Sequence, residues 1–128
     1  MMNENKNRKY DLEARLIDFA VLIIEITESL NNTRAGNHLA GQLVRSGTSP
    51  ALQYGEAQSA ESRNDFIHKL KILLKELRET LVALKIIKRV SLTKKIEKVD
   101  NGIIECNELI SIFVTSVGTA KKNINKRK

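Results

Sequence analysis

The residues from Glu61 to Val90, ESRNDFIHKLKILLKELRETLVALKIIKRV, constrain the fold most, because their apolar side chains recur at alternating steps of four and three over about eight helical turns. Phe66, Leu70, Leu73, Leu77, Leu84 and Ile87 fall on one seam with Thr80 as its polar member, a spacing that keeps one stripe turned toward partner helices. Ser62 stands where an N-cap is needed, and Asp65 three residues on makes a variant of the capping box. Ile67, Leu74 and Leu81 widen the stripe. Ile72, Val82, Ile86 and Val90 lie outside it, which is more apolar surface than one bundle core requires.

The same rhythm recurs along the chain. Asp11 is placed to cap a helix whose seam is Leu12, Leu16, Phe19, Ile23, Ile26 and Leu30, with Asp11, Asp18, Glu25 and Glu28 on its solvent face. Asn31 and Asn32 are expected to end it, since Asn tolerates the left-handed conformation, and Thr33 can cap the next helix. That second helix, about Arg34 to Ser59, is rich in small residues, including Gly36, Gly41, Gly47 and Gly55. Each glycine inside a helix costs roughly 0.5–1 kcal/mol relative to alanine, so close packing must offset it. Pro50 cannot donate to the carbonyl of Ser46 and crowds it, so a kink is expected near Ser46 to Ser49. Locally, Ser49 as N-cap with Pro50 in the first turn reads as well as a fresh start. After a turn at Ser91 and Leu92, Thr93 is expected to cap a fourth helix with the seam Ile96, Val99, Ile103, Cys106, Ile110, Phe113 and Val117, and Gly118 is a natural stop.

Four amphipathic helices with short connections bury their seams most simply as an all-α, antiparallel up-down-up-down four-helix bundle with a kinked second helix. The expected layout is a flexible N-terminal arm over residues 1–10, a bundle domain over 11–118 and a basic C-terminal tail over 119–128. The longest apolar run, Phe19 to Ile24, is too short to span a bilayer, and no signal-peptide pattern precedes it, so a cytoplasmic protein without a membrane segment is expected. The single cysteine, Cys106, allows no internal disulfide and is expected as a buried, inert thiol.

Catalysis needs converging nucleophiles, bases and oxyanion donors, and the sequence offers few, so no enzymatic role is expected. The two histidines, His38 and His68, have no catalytic context. Asp65 and His68 stand one turn apart, as in half of a di-iron bundle site, but His38 has Ala35 at the matching position, so neither a metal nor another cofactor is expected. The run Arg45 to Pro50, RSGTSP, lacks the Gly-Lys-Ser/Thr of a phosphate loop and reads as a tight kink whose hydroxyls satisfy freed carbonyls. A second reading puts Arg45 at a subunit contact, bridging a carboxylate such as Glu56 from another element.

The net charge is +7, and its placement matters more than its size. Residues 1–10 carry +2 and residues 119–128 carry +5, while the segment between is neutral overall. Within it the first helix is acidic, −4 over residues 11–30, and residues 61–90 carry +4. His68, Lys71, Lys75, Arg78, Lys85 and Arg89 follow one four-three line on the third helix, interrupted by Val82. Such a line is either a solvated face, partly neutralised by pairs such as Lys75 with Glu79, or a track for phosphates. Repeated around an oligomer and joined by tail cations such as Lys121 and Lys122, it could bind a polyanion with strong salt dependence and little sequence preference.

The segment Leu43 to Ile87 resembles the small bacterial four-helix-bundle proteins related to those encoded in 23S rRNA intervening sequences, a family that includes the accessory protein of diversity-generating retroelements. Arg45-Ser46, Glu56-Ala57, Ser62 to Phe66 and Lys75-Glu76 with Glu79-Thr80 carry the resemblance. It implies a homopentamer of up-down bundles, nucleic-acid binding through a basic surface and, for the retroelement members, a reverse transcriptase as partner. The chain departs from the pattern at Leu81 to Ala83, where aromatics are common, and at Pro50. The expected oligomer contact comprises Arg45, Glu56, Val82 and Ile86. The leading expectation is a non-enzymatic homo-oligomer that binds structured RNA or DNA. The alternative is a protein-interaction adaptor or scaffold with no nucleic-acid role.

Overall fold

In the computed structural model, which describes residues 11–127 and the side chains through residue 124, the chain forms four helices: α1 (Leu12–Glu28), α2 (Arg34–Gln58), α3 (Arg63–Val90) and α4 (Ile96–Arg127). The expected arm at residues 1–10 lies outside the described residues. Each helix packs on its neighbours in chain order, and α1 closes on α4, giving the expected four-helix bundle with no strand among the described residues. The core holds Leu16, Phe19, Ile23 and Ile26 of α1, Leu43 of α2, Leu70, Leu73, Leu77, Leu84 and Ile87 of α3, and Val99, Cys106, Leu109 and Phe113 of α4, all essentially inaccessible to solvent. Burying a Leu, Ile or Phe side chain contributes about 1.5–3 kcal/mol, so these seams dominate folding. Tyr54 of α2 reaches across the core to Phe113 of α4, edge to face with centroids 5.8 Å apart.

The caps follow the sequence at three helix starts. Asp11 accepts from Ala14 N–H, Thr33 from Gly36 N–H and Ser62 from Asp65 N–H, each at 3.0 Å. The helix ends differ from expectation. α1 stops at Glu28 with Ser29 as its cap, and the single positive φ among the described residues belongs to Ser91, not to Asn31 or Asn32. Ser91 N–H bonds to Lys88 O at 3.2 Å and Leu92 N–H to Ile87 O at 3.1 Å, a Schellman ending in which buried Leu92 packs back toward Ile87. Thr93 does not cap a helix. Its buried hydroxyl accepts from Lys95 N–H and pairs with Ser29 Oγ at 2.7 Å, and α4 begins only at Ile96.

α2 runs unbroken through Pro50, which excludes the fresh start at Ser49. Its small residues serve the packing: Gly47 lies against Ile23 so closely that no Cβ fits between α1 and α2, and the buried Ser46 hydroxyl accepts from Thr80 Oγ1 at 2.9 Å. Gly118 is not a stop, and α4 continues to Arg127. The reason is that Ala120 is buried and Ile124 packs on the core, so the three-four rhythm of Val117 persists and outweighs the local glycine signal. By length and composition α4 is apolar enough to cross a membrane, a property the run Phe19–Ile24 did not reveal; in the bundle its apolar face packs on α3 and α1. The α1–α4 seam carries ion pairs, with Arg15 gripping Glu105 at 2.7 and 2.9 Å and reaching Glu108 at 3.2 Å, and Lys98 meeting Glu25 at 2.8 Å.

Candidate nucleic-acid interface

All six members of the α3 line, His68, Lys71, Lys75, Arg78, Lys85 and Arg89, are exposed, because the seam at Leu70, Leu77 and Leu84 faces inward and turns them outward. None has an ion-pair partner among the described residues. The expected neutralisation of Lys75 by Glu79 is therefore not made within 4 Å. Glu79 instead sits by Glu76, whose carboxyl is pushed above the usual range by partial burial and by the Glu79 charge.

The line divides into three neighbourhoods. At the start of α3, His68 and Lys71 share a concavity of about 380 Å³ with Asn64, Ile67, Lys121 and Ile124. Lys121 reaches this place because α4 continues past Gly118, so a residue expected in a tail belongs to the folded surface. Lys122 is exposed beside it. In mid-helix, Lys75 and Arg78 border a groove of about 600 Å³ between α2 and α3, also lined by His38, Leu39, Val82 and Ile86. Near the end of α3, Lys85 and Arg89 gather with Lys88 and Ile103 in a further concavity.

The expected oligomer residues sit on two helices. Val82 and Ile86 of α3 are 57% and 43% exposed. Arg45 donates to Gln42 Oε1 at 2.7 Å on its own helix, and Glu56 meets Lys69 at 3.5 Å, so Arg45 and Glu56 do not pair within one chain. The groove itself was not legible as such, because Leu39 and His38 give no sign in the sequence of facing Val82. Its one available signal was the shared exposure phase of Val82 and Ile86.

Among the described residues no three His, Cys, Asp or Glu side chains converge as a metal site would require. Cys106 is fully buried with Sγ 3.1 Å from Leu77 O, and burial pushes its thiol up to about 12.

The antiparallel four-helix bundle thus carries a basic line without ion-pair partners among the described residues, together with exposed apolar side chains. Residues 8–114 match the family model described as 23S rRNA-intervening sequence protein, and the chain belongs to that family. Among solved structures it is similar to a protein of unknown function from the S23 ribosomal protein family of Bacteroides thetaiotaomicron, with 30% identity and a TM-score of 0.75, covering 82% of this chain and 96% of that one. No curated protein matches the chain. Neither matching description names a retroelement.

Proposed function

We propose that this protein is a non-enzymatic, self-assembling helical bundle that binds structured RNA or DNA through the cations of α3 and α4, with low sequence specificity. The observation that supports it best is the convergence of Lys121 with His68 and Lys71 in one concavity whose lining contains no acidic side chain. Lys71 and Lys121, on two separate helices and without ion-pair partners among the described residues, suit a backbone that presents charge at regular intervals. Lys85 and Arg89 add a second cationic stretch at the other end of α3, with Lys75 and Arg78 lying between the two. The family link to 23S rRNA intervening sequences favours RNA as the first ligand to test.

Self-assembly, pentameric by family resemblance, multiplies this surface and supplies the avidity that one short track lacks. The exposure of Val82 and Ile86 supports it, since a monomer gains nothing by leaving them uncovered. The adaptor reading rests on the same exposed apolar side chains and is separated by one titration. A structured RNA and a duplex DNA are titrated at several salt concentrations with the native chain and with K71E/K121E. Removing two phosphate contacts lowers the salt slope on duplex DNA by about 1.8 and weakens binding across sequences alike. Unchanged affinity in K71E/K121E refutes the site, and no binding by the native chain favours the adaptor.

A further inference from the structure

Two faces of the bundle lack a partner and are complementary to each other. On α1, Ile17, Val21 and Ile24 are 48%, 51% and 42% exposed and recur at steps of four and three, a second apolar stripe outside the buried seam of Leu16, Phe19, Ile23 and Ile26. Asp18 and Glu28 accompany the stripe, both exposed and without an ion-pair partner among the described residues. Elsewhere on the bundle, the groove between α2 and α3 has an apolar floor of Leu39, Val82, Ala83 and Ile86 and a cationic rim of Lys75 and Arg78, with Glu79 the one acid lining it.

We propose that the α1 face of one copy docks into the α2/α3 groove of a second copy of this chain, its isoleucines and valine on the groove floor and Asp18 and Glu28 against Lys75 and Arg78. The inference rests on the self-assembly reading and names the surfaces that carry it. Charge favours a second copy as occupant: residues 11–30 carry −4 and residues 61–90 carry +4, so each chain holds both halves of the match. Within one bundle α1 and α3 are diagonal neighbours whose backbones do not approach, and Ile17, Val21 and Ile24 point to solvent, so the match is not made internally. Because the two faces differ, the contact is heterologous. Each copy gives one face and accepts another, and association continues until a ring closes. Lys75 and Arg78 are then held by acids, and a polyanion meets the two ends of the cationic line, His68 and Lys71 with Lys121, and Lys85 with Arg89.

The test is light scattering on the full chain, with far-UV circular dichroism to confirm helicity. V21E and V82E are each expected to abolish assembly. Mixing them is expected to give a two-chain species, since one variant keeps its groove and the other keeps its α1 face. D18K/E28K and K75E/R78E are each expected to weaken association at least about tenfold, and combining all four substitutions restores it. Native-like assembly of V21E, a mixture that stays monomeric, or no recovery in the fourfold variant overturns the docking geometry. If V21E loses helicity, the charge-swap set decides alone. A monomeric native chain refutes self-assembly itself, a result distinct from an assembling native chain whose variants assemble equally well.

Discussion

Replacing Gly47 by alanine puts one methyl group between α1 and α2, where an ideal Cβ would overlap Ile23 Cγ2 and stand 2.8 Å from Cγ1 and 3.0 Å from Cβ. At an ordinary helical position the change would gain about 1 kcal/mol from propensity. Here Ile23 is 0% exposed and branched at Cβ, so it cannot rotate aside, and the two helices must separate. Overpacking of that kind costs about 1–3 kcal/mol, and the directness of the overlap places Gly47 at or beyond the upper end, for a net loss of about 2 kcal/mol. For a chain of this size that lowers the melting temperature by about 6–10 °C. Urea unfolding followed by circular dichroism, at one fixed protein concentration because association shifts apparent stability, reads the change. Gly55 is the control: nothing lies within 4 Å of its added Cβ, so G55A should gain about 0.5–1 kcal/mol. In an I23A background the γ carbons are gone, and G47A should lose its penalty, giving a coupling of at least about 1 kcal/mol. A G47A chain stabilised to the same degree as G55A refutes the close approach.

Four further outcomes follow from the core and the helix ends. Thr80 Oγ1 donates to Glu76 O at 2.8 Å and pairs with Ser46 Oγ at 2.9 Å, so T80V, which strands the buried Ser46 hydroxyl, should cost about 1–3 kcal/mol in urea unfolding; a neutral effect sinks the assignment. Cys106, pushed up to about 12 by burial, should be silent to a thiol reagent at pH 8 in the folded chain and react only through unfolding. Because the folded thiol pKa is raised, its contribution to stability is whole below the unfolded value and lost as pH rises from about 9 toward 12, a loss that C106A should lack. A Cβ added at Gly118 meets nothing within 4 Å, so G118A should raise stability by about 0.5–1 kcal/mol; destabilisation would mean that α4 ends there after all.

The seams of α1 and α3 were legible because single-face burial imposes its period on the sequence, and Leu16 to Ile26 and Leu70 to Ile87 show it with Thr80 as the one polar member. The small residues of α2 announced close packing, yet only the fold distinguishes Gly47, wedged on Ile23, from Gly41 and Gly55, where an added Cβ would meet nothing within 4 Å. The local rules misled where a longer pattern overrode them. Glycine at 118 suggested a stop, but Ala120 and Ile124 kept a buried phase, and Asn31 looked left-handed while Ser91 took that conformation. The cationic line on α3 could be read directly. Its meeting with Lys121 could not, because it requires α4 to extend alongside the start of α3. The outward stripe of Ile17, Val21 and Ile24 was hidden for the opposite reason: once a helix has one good seam, its remaining apolar residues look like ordinary surface variation.

At the end of the bundle where α1 hands over to α2 and α3 to α4, the two loops are tied together: Asn31 N–H donates to Leu92 O at 2.8 Å and Ser29 Oγ meets Thr93 Oγ1 at 2.7 Å. Such a clasp fixes the axial register of one helical hairpin against the other, since sliding by a single turn would break both bonds. The clasp sits at the end of the bundle away from Lys71 and Lys121, so the register it sets is carried along α3 and α4 to the cations a full helix length away.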